Sequence, residues 1–420
     1  FTAVVVYGVA SRRAGRRAGL LLAAFTALNP AMFVDSAAWG QMDSVYTLLL
    51  VLCALLAADR KYVPSLLCFA FAMLTKPQAL LFAPLGLFAV LVNAYRAKDR
   101  KRALRDFGLG VLAALAMLYA VAFMFCAGKA EGLIGTLVYP VRWLAELYGN
   151  TMGGYDYITV NALNLYELLN LNWHSTASAG GWTVFAWCMF ALSYLYSFFL
   201  YWKSRNPKRL LLCGAVLMAM IFAFGPMIHE RYVYPALALL ILAYAVERDR
   251  RLLISAAVMS VTLAMNQVLV LQGGMQAASA AQYGHLQGSE QWLNAPLSLA
   301  GVLNALFLCW TGYDIICRER ITPLAAQELD ERVPGPADSP APDYKLNLKR
   351  KDWVAMLVIT GVYAVAAFLN LGTTAAPESG WTSTAAGESV VFDLGGTETF
   401  RMTYYGGICG TNFPVELSDD

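Results

Sequence analysis

The stretch Asn29–Lys61, NPAMFVDSAAWGQMDSVYTLLLVLCALLAADRK, holds the features that decide the fold. Its second half, Asp43–Ala58, is a nearly unbroken apolar run. Before that run come two aspartates, Asp35 and Asp43, an Asn-Pro and a Trp-Gly-Gln. After it come Arg60 and Lys61. An apolar run with bases at only one end reads as a membrane helix with a defined direction.

The whole chain repeats this pattern. Of 420 residues, 59% are hydrophobic and only 14% charged, and the mean hydropathy is +0.52. A soluble domain carries about a quarter charged residues, so the composition excludes a soluble globular class. The apolar runs predict an all-α polytopic membrane protein with twelve spans. These are 1–11, 18–34, 43–58, 62–75, 79–95, 106–126, 182–202, 208–227, 232–247, 251–271, 296–316 and 353–371. Helices are required because hydrocarbon offers backbone groups no partner. The connections at 11–19, 59–61, 96–105, 203–209, 247–251 and 318–351 hold 26 of the 31 Lys and Arg residues. They alternate along the chain, so all six fall on one side, which the positive-inside rule makes cytoplasmic.

The opposite face keeps the basic residues Lys76, Lys129, Arg142, Arg231 and Arg401, and all three histidines, His174, His229 and His285. Chemistry is therefore expected there. Cys53, Cys68, Cys126, Cys188, Cys213 and Cys309 lie in spans, Cys317 at a cytoplasmic end, and Cys409 outside. They read as small hydrophobes, with neither a disulfide framework nor zinc spacing. The first span runs inward, so an earlier span and external loop are expected before Phe1.

Three external motifs stand out. In DSAAWGQMDS, Asp35, Trp39 and Asp43 would share a face if helical, but Gly40 favours a turn. Asp43 and Ser44 are placed to cap the third span. Asp35 lies inside an apolar run, where an ionisable residue reads as functional. In FGPMIHERYVYPAL, His229, Glu230 and Arg231 precede a helix whose N-terminal amides favour an anion, above all phosphate. In MLTKPQALLFAP, Lys76 is either a snorkelling lysine or a second cation for that phosphate. The long loop 127–181 contains an amphipathic helix around Trp143–Tyr148. It also contains Asn161 and Asn164, which either meet sugar hydroxyls or cap and turn the loop.

Taken in order, NPAMFVDSAAWGQMDS, LTKPQALL, the Asn-rich loop and HERYVYPAL resemble the GT-C superfamily of integral-membrane glycosyltransferases. The likeness covers about residues 1–316 and is strongest to bacterial mannosyl- and glucosyltransferase-like members. His229-Glu230-Arg231 resembles the His-Glu-Lys motif of endoplasmic-reticulum glucosyltransferases, with Arg231 in the Lys position. The resemblance implies a polyprenyl-phosphate-sugar donor and an acceptor hydroxyl on a cell-envelope glycan, lipid or protein, with inversion at the anomeric carbon. In that superfamily an Asp or Glu of the first external loop commonly acts as base, and here that loop is expected before Phe1. Asp43 and Asp35, in the second external loop, are the catalytic candidates, with His229, Arg231 and Lys76 for the donor phosphate. Trp39, Gln41, Glu230, Tyr232, Asn161 and Asn164 would contact substrate. No cofactor and no nucleic acid are expected. No metal cluster is evident, although some members of the superfamily use one.

Residues 317–352, with VPGPADSPAPDYK, read as a polar cytoplasmic linker. A further span at 353–371 leads to Gly387–Gly407, GESVVFDLGGTETFRMTYYGG, which resembles the opening of a galactose-binding-like, discoidin-type β-sandwich over 372–420. Two rival classes remain. A flippase or transporter of lipid-linked sugars would place polar groups at mid-membrane in two similar halves. A glycan-binding scaffold would not need His229 and Arg231 together.

Overall fold

A computed structural model describes residues 1–126, 132–153, 156–276, 291–324 and 350–368, with the isolated residues 389 and 391. The described residues are helical apart from short turns and two two-residue strands. The expectations for His285, Lys129, Cys409, most of the linker and the galactose-binding-like segment fall outside them. The chain divides into one unit of residues 1–275 and 284–342, and another of 276–283 and 343–420. The second unit contains the helix Arg350–Phe368.

The first unit begins with α1, Thr2–Ala27, which is a hairpin rather than a rod. Gly15 breaks it with φ 84° and ψ 163°, a region open mainly to glycine. Residues eight apart in a straight helix are separated by about 12 Å. Here a Cβ on Gly19 would fall 2.8 Å from that of Ser11, so the chain reverses. The two expected spans 1–11 and 18–34 are thus separate arms, but the second arm stops at Ala27. After Asn29, whose side chain caps the amide of Ala31 at 3.1 Å, a short α2 (Pro30–Phe33) runs into a π-helical turn, Val34–Ala38.

Next come α3 (Asp43–Ala58), α4 (Tyr62–Thr75), α5 (Ala83–Tyr95), α6 (Arg100–Cys126) and α7 (Gly132–Gly153). A short α8 (Leu165–Leu168) precedes α9 (Gly181–Lys203), α10 (Leu210–Phe224), α11 (Tyr234–Glu247), α12 (Arg250–Gln276) and α13 (Asn294–Cys317). Among the described residues six helical segments are long and apolar enough to cross a bilayer: Pro77–Tyr95, Arg100–Cys126, Gly181–Lys203, Pro207–Phe224, Arg250–Gly273 and Asn294–Cys317; Thr2–Ala27 and Pro30–Ala38 qualify only taken together. The predicted spans 43–58, 62–75 and 232–247 are helices of 16, 14 and 14 residues. At 1.5 Å per residue they reach only about 21–24 Å, short of a ~30 Å hydrocarbon core. Helices fit to span a membrane are therefore present, while the expected twelve would need these three together with 1–11, 18–34 and 353–371, none of which is among the six.

Burial sorts the helices into two groups. Every residue of α10 and α11 is buried, as expected of helices apolar on all sides. They pack on each other; α10 also meets α9 and α13, and α11 meets α1 and α3. Gly214 allows the close approach, because a Cβ there would meet the Phe82 ring at 2.7 Å. By contrast, α6 and α9 expose Leu109, Leu112, Leu115, Val184, Trp187 and Leu195, an apolar surface suited to lipid.

The basic connections meet one another. Arg96 donates to the carbonyls of Trp202 and Ser204. Arg209 forms a two-pronged pair with Glu247, at 3.0 and 3.2 Å. Arg251 bridges Asp249 and Asp314, and the amide of Arg250 donates to Thr322. These contacts join the connections at 96–105, 203–209, 247–251 and 318–351.

Candidate functional site

The site starts at the π-turn. A π-turn packs an extra residue into one helical turn and is frequent at functional positions. Here it buries Asp35 completely. Gln267 of α12 donates to Asp35 Oδ1 at 3.2 Å, while Oδ2 has no hydrogen-bond partner. Gly40 (φ 70°) then turns the chain, and the amide of Gln41 donates back to the Asp35 carbonyl. The turn that Gly40 favoured is therefore present.

Asp43 does not cap α3. The capping position is Met42, without a side-chain cap. The Asp43 carboxylate is instead turned to two cations. Its Oδ2 lies 2.5 Å from Lys76 Nζ and 3.6 Å from Arg231 Nε, and the carboxyls of Asp35 and Asp43 lie within interaction range. Lys76 does not snorkel away. The extended backbone at this residue (φ −155°) breaks the chain between α4 and the 3-10 turn Pro77–Phe82. Its ammonium points inward, 5.9 Å from the Tyr46 ring.

Arg231 is held on three sides. Its guanidinium stacks 4.4 Å from the Trp39 ring, its Nη1 lies 2.5 Å from Glu230 Oε1, and its Nε faces Asp43. Trp39 in turn packs on Leu163, Leu269 and Val270. An Arg stacked on an indole beside a carboxylate keeps its planar fork oriented.

His229 sits in a strand, Ile228–His229, parallel to Thr159–Val160 with Val160 opposite His229. Burial, reinforced by Arg231 and Lys76, lowers its pKa to about 4, so the imidazole is neutral at pH 7. It is therefore a neutral hydrogen-bonding group and not a cation. Burial raises the pKa of Glu230, with Arg231 working against the shift. The His229 and Tyr232 rings are 5.2 Å apart, and Gln78 donates to the Tyr232 hydroxyl at 3.4 Å.

The long loop is anchored by the asparagines. Asn161, with left-handed φ 55°, accepts from Trp173 Nε1 at 2.9 Å, and its carbonyl accepts from Asn266 at 2.7 Å. Asn164 caps α8 and donates to Thr159 and to the carbonyl of Phe222. Of the two readings for these residues, capping and turning is what the structure contains. The amphipathic helix is α7. It stacks Trp143 on Phe125 at 6.1 Å and accepts a hydrogen bond from Tyr119.

Asp35, Asp43, Lys76, Arg231, His229, Glu230, Trp39 and Tyr232 thus converge from three separate stretches of the chain, 35–43, 76 and 229–232. Sequence reasoning missed Gln78, Tyr46, Asn266 and Gln267, neutral groups that complete the cluster from within helices or turns. Among the described residues no group of three or more His, Cys, Asp or Glu side chains is arranged to hold a metal ion. No family model and no curated protein matches the chain.

Proposed function

We propose that this protein is a multi-pass membrane glycosyltransferase of GT-C type, acting on the extracytoplasmic face. It would transfer a hexose from a polyprenyl-phosphate carrier to an acceptor hydroxyl. The observation that carries the reading is the convergence of two adjoining carboxylates, two cations and a neutral imidazole in one largely buried cluster.

In this reading the acceptor oxygen attacks the anomeric carbon. The bond from that carbon to the phosphate oxygen breaks, and its electron pair leaves on polyprenyl phosphate. Burial and the neighbouring Asp43 raise the Asp35 pKa to about 8, so it is the ionised form of Asp35 that takes the acceptor's proton, on the Oδ2 that has no hydrogen-bond partner, while Asp43 stays engaged with Lys76 and Arg231. Arg231 and Lys76 stabilise the charge growing on the leaving phosphate, and His229 adds a neutral hydrogen bond. Asp43 holds both cations in place until the phosphate arrives.

The test supplies purified full-length protein with synthetic polyprenyl-phosphate hexoses and follows free polyprenyl phosphate. Release by wild type, lost in His229→Ala, supports the reading. No release from any donor, with labelled lipid crossing a vesicle bilayer, would replace it with a flippase.

A further inference from the structure

A second cationic cluster lies at the other end of α3, where the basic connections meet. Arg13 and Lys208 are only 8% and 4% exposed. Arg13 ends the first arm of α1, just before the Gly15 reversal. Lys208 lies in the 3-10 turn Pro207–Arg209, which packs on α3 and α11. The two charges are near enough to repel.

The anions at this end are mostly committed. Glu247 takes Arg209, and Asp249 and Asp314 take Arg251. Asp59, at the end of α3, faces Lys208. Arg13 Nε is sealed from solvent without a hydrogen-bond acceptor. Among the described residues no carboxylate forms an ion pair with Arg13, and a buried guanidinium nitrogen without an acceptor is unfavourable unless a ligand supplies one.

We propose that Arg13 and Lys208 form a binding site for a phosphate group, separate from the Asp35–Arg231 cluster. A guanidinium fork matches two phosphate oxygens, and a lysine beside it adds a point charge to a third. Either a phosphate-bearing lipid headgroup or a soluble phosphate has this chemistry. The site does not depend on the transferase reading.

The test reads the melting temperature of the purified full-length protein in neutral detergent. Phosphatidylglycerol is titrated against phosphatidylcholine, and inorganic phosphate is titrated at constant ionic strength. A rise with phosphatidylglycerol alone identifies a headgroup, and a rise with inorganic phosphate identifies a soluble source. Arg13→Gln should weaken the apparent affinity for the stabilising probe at least tenfold. Without probe it should melt no lower than wild type, since it removes an uncompensated charge. Arg205→Gln, on the exposed surface nearby, and Arg231→Gln, in the other cluster, should both keep the response. If Arg13→Gln does not fold, Lys208→Met carries the same expectation. The proposal is overturned if neither probe raises the wild-type midpoint. It is also overturned if phosphatidylcholine protects as well as phosphatidylglycerol, or if the folded Arg13 or Lys208 variant responds like wild type.

Discussion

Lys76 Nζ lies 2.5 Å from Asp43 Oδ2, and this contact joins the start of α3 to the break after α4. Asp43 is 1% exposed at its side chain and Lys76 14%, so the pair is shielded from solvent. Removing one partner of such a pair strands the other charge, at a cost of about 3–5 kcal/mol. Asp43→Asn and Lys76→Met are each expected to lower the melting temperature. The double variant should recover part of the loss, giving a coupling energy of about 1–3 kcal/mol in a double-mutant cycle. Additive losses would show that the contact does not contribute.

Acid should weaken the fold through His229. Its pKa in the folded protein is about 4, below the ordinary 6.5. Between those values the unfolded chain takes up a proton that the folded site refuses. Stability therefore falls as pH drops from about 6.5 to about 4, by on the order of 3 kcal/mol. Glu230 and Asp35 oppose this, because a raised carboxyl pKa favours the folded state as pH falls. Comparison with His229→Gln isolates the histidine. The unfolding midpoint of wild type relative to that variant should be lower at pH 5 than at pH 7.

Arg231 should not tolerate lysine. Its plane rests on Trp39 at 4.4 Å while its nitrogens serve Glu230 and Asp43, which an ammonium cannot reproduce. Arg231→Lys and Trp39→Leu are expected to cut polyprenyl-phosphate release about tenfold or more, and Trp39→Phe much less. Full activity in Arg231→Lys would leave only its charge in play.

Asn161 separates a structural role from a sugar contact. Its carbonyl and side chain are spent on Asn266, Trp173 and Asn172. Asn161→Ala should thus cost about 1–3 kcal/mol of stability, with KM for donor little changed in the folded fraction. A raised KM without loss of stability would return Asn161 to the substrate.

Much of this was legible in the sequence, for one physical reason. In a chain of such low charge every external ionisable group stands out, so Asp35, Asp43, Lys76, His229 and Arg231 were found singly. What could not be read was their pairing. Asp43 looked like a cap because Asp favours that position, and nothing local announces a lysine 33 residues away. Gln78, Asn266 and Gln267 are neutral and look like ordinary helix or turn residues. The bounds of α3 and α4 were legible as 43–58 and 62–75, and those of α11 to within two residues, because charged or turn residues end each apolar run.

The two-residue parallel ladder between Thr159–Val160 and Ile228–His229 has a mechanical consequence. It welds the outer loop to the imidazole's own backbone, with Asn161 bridging to His229 as a third rivet. Whatever pushes on that loop from outside moves the histidine directly, without first bending a helix.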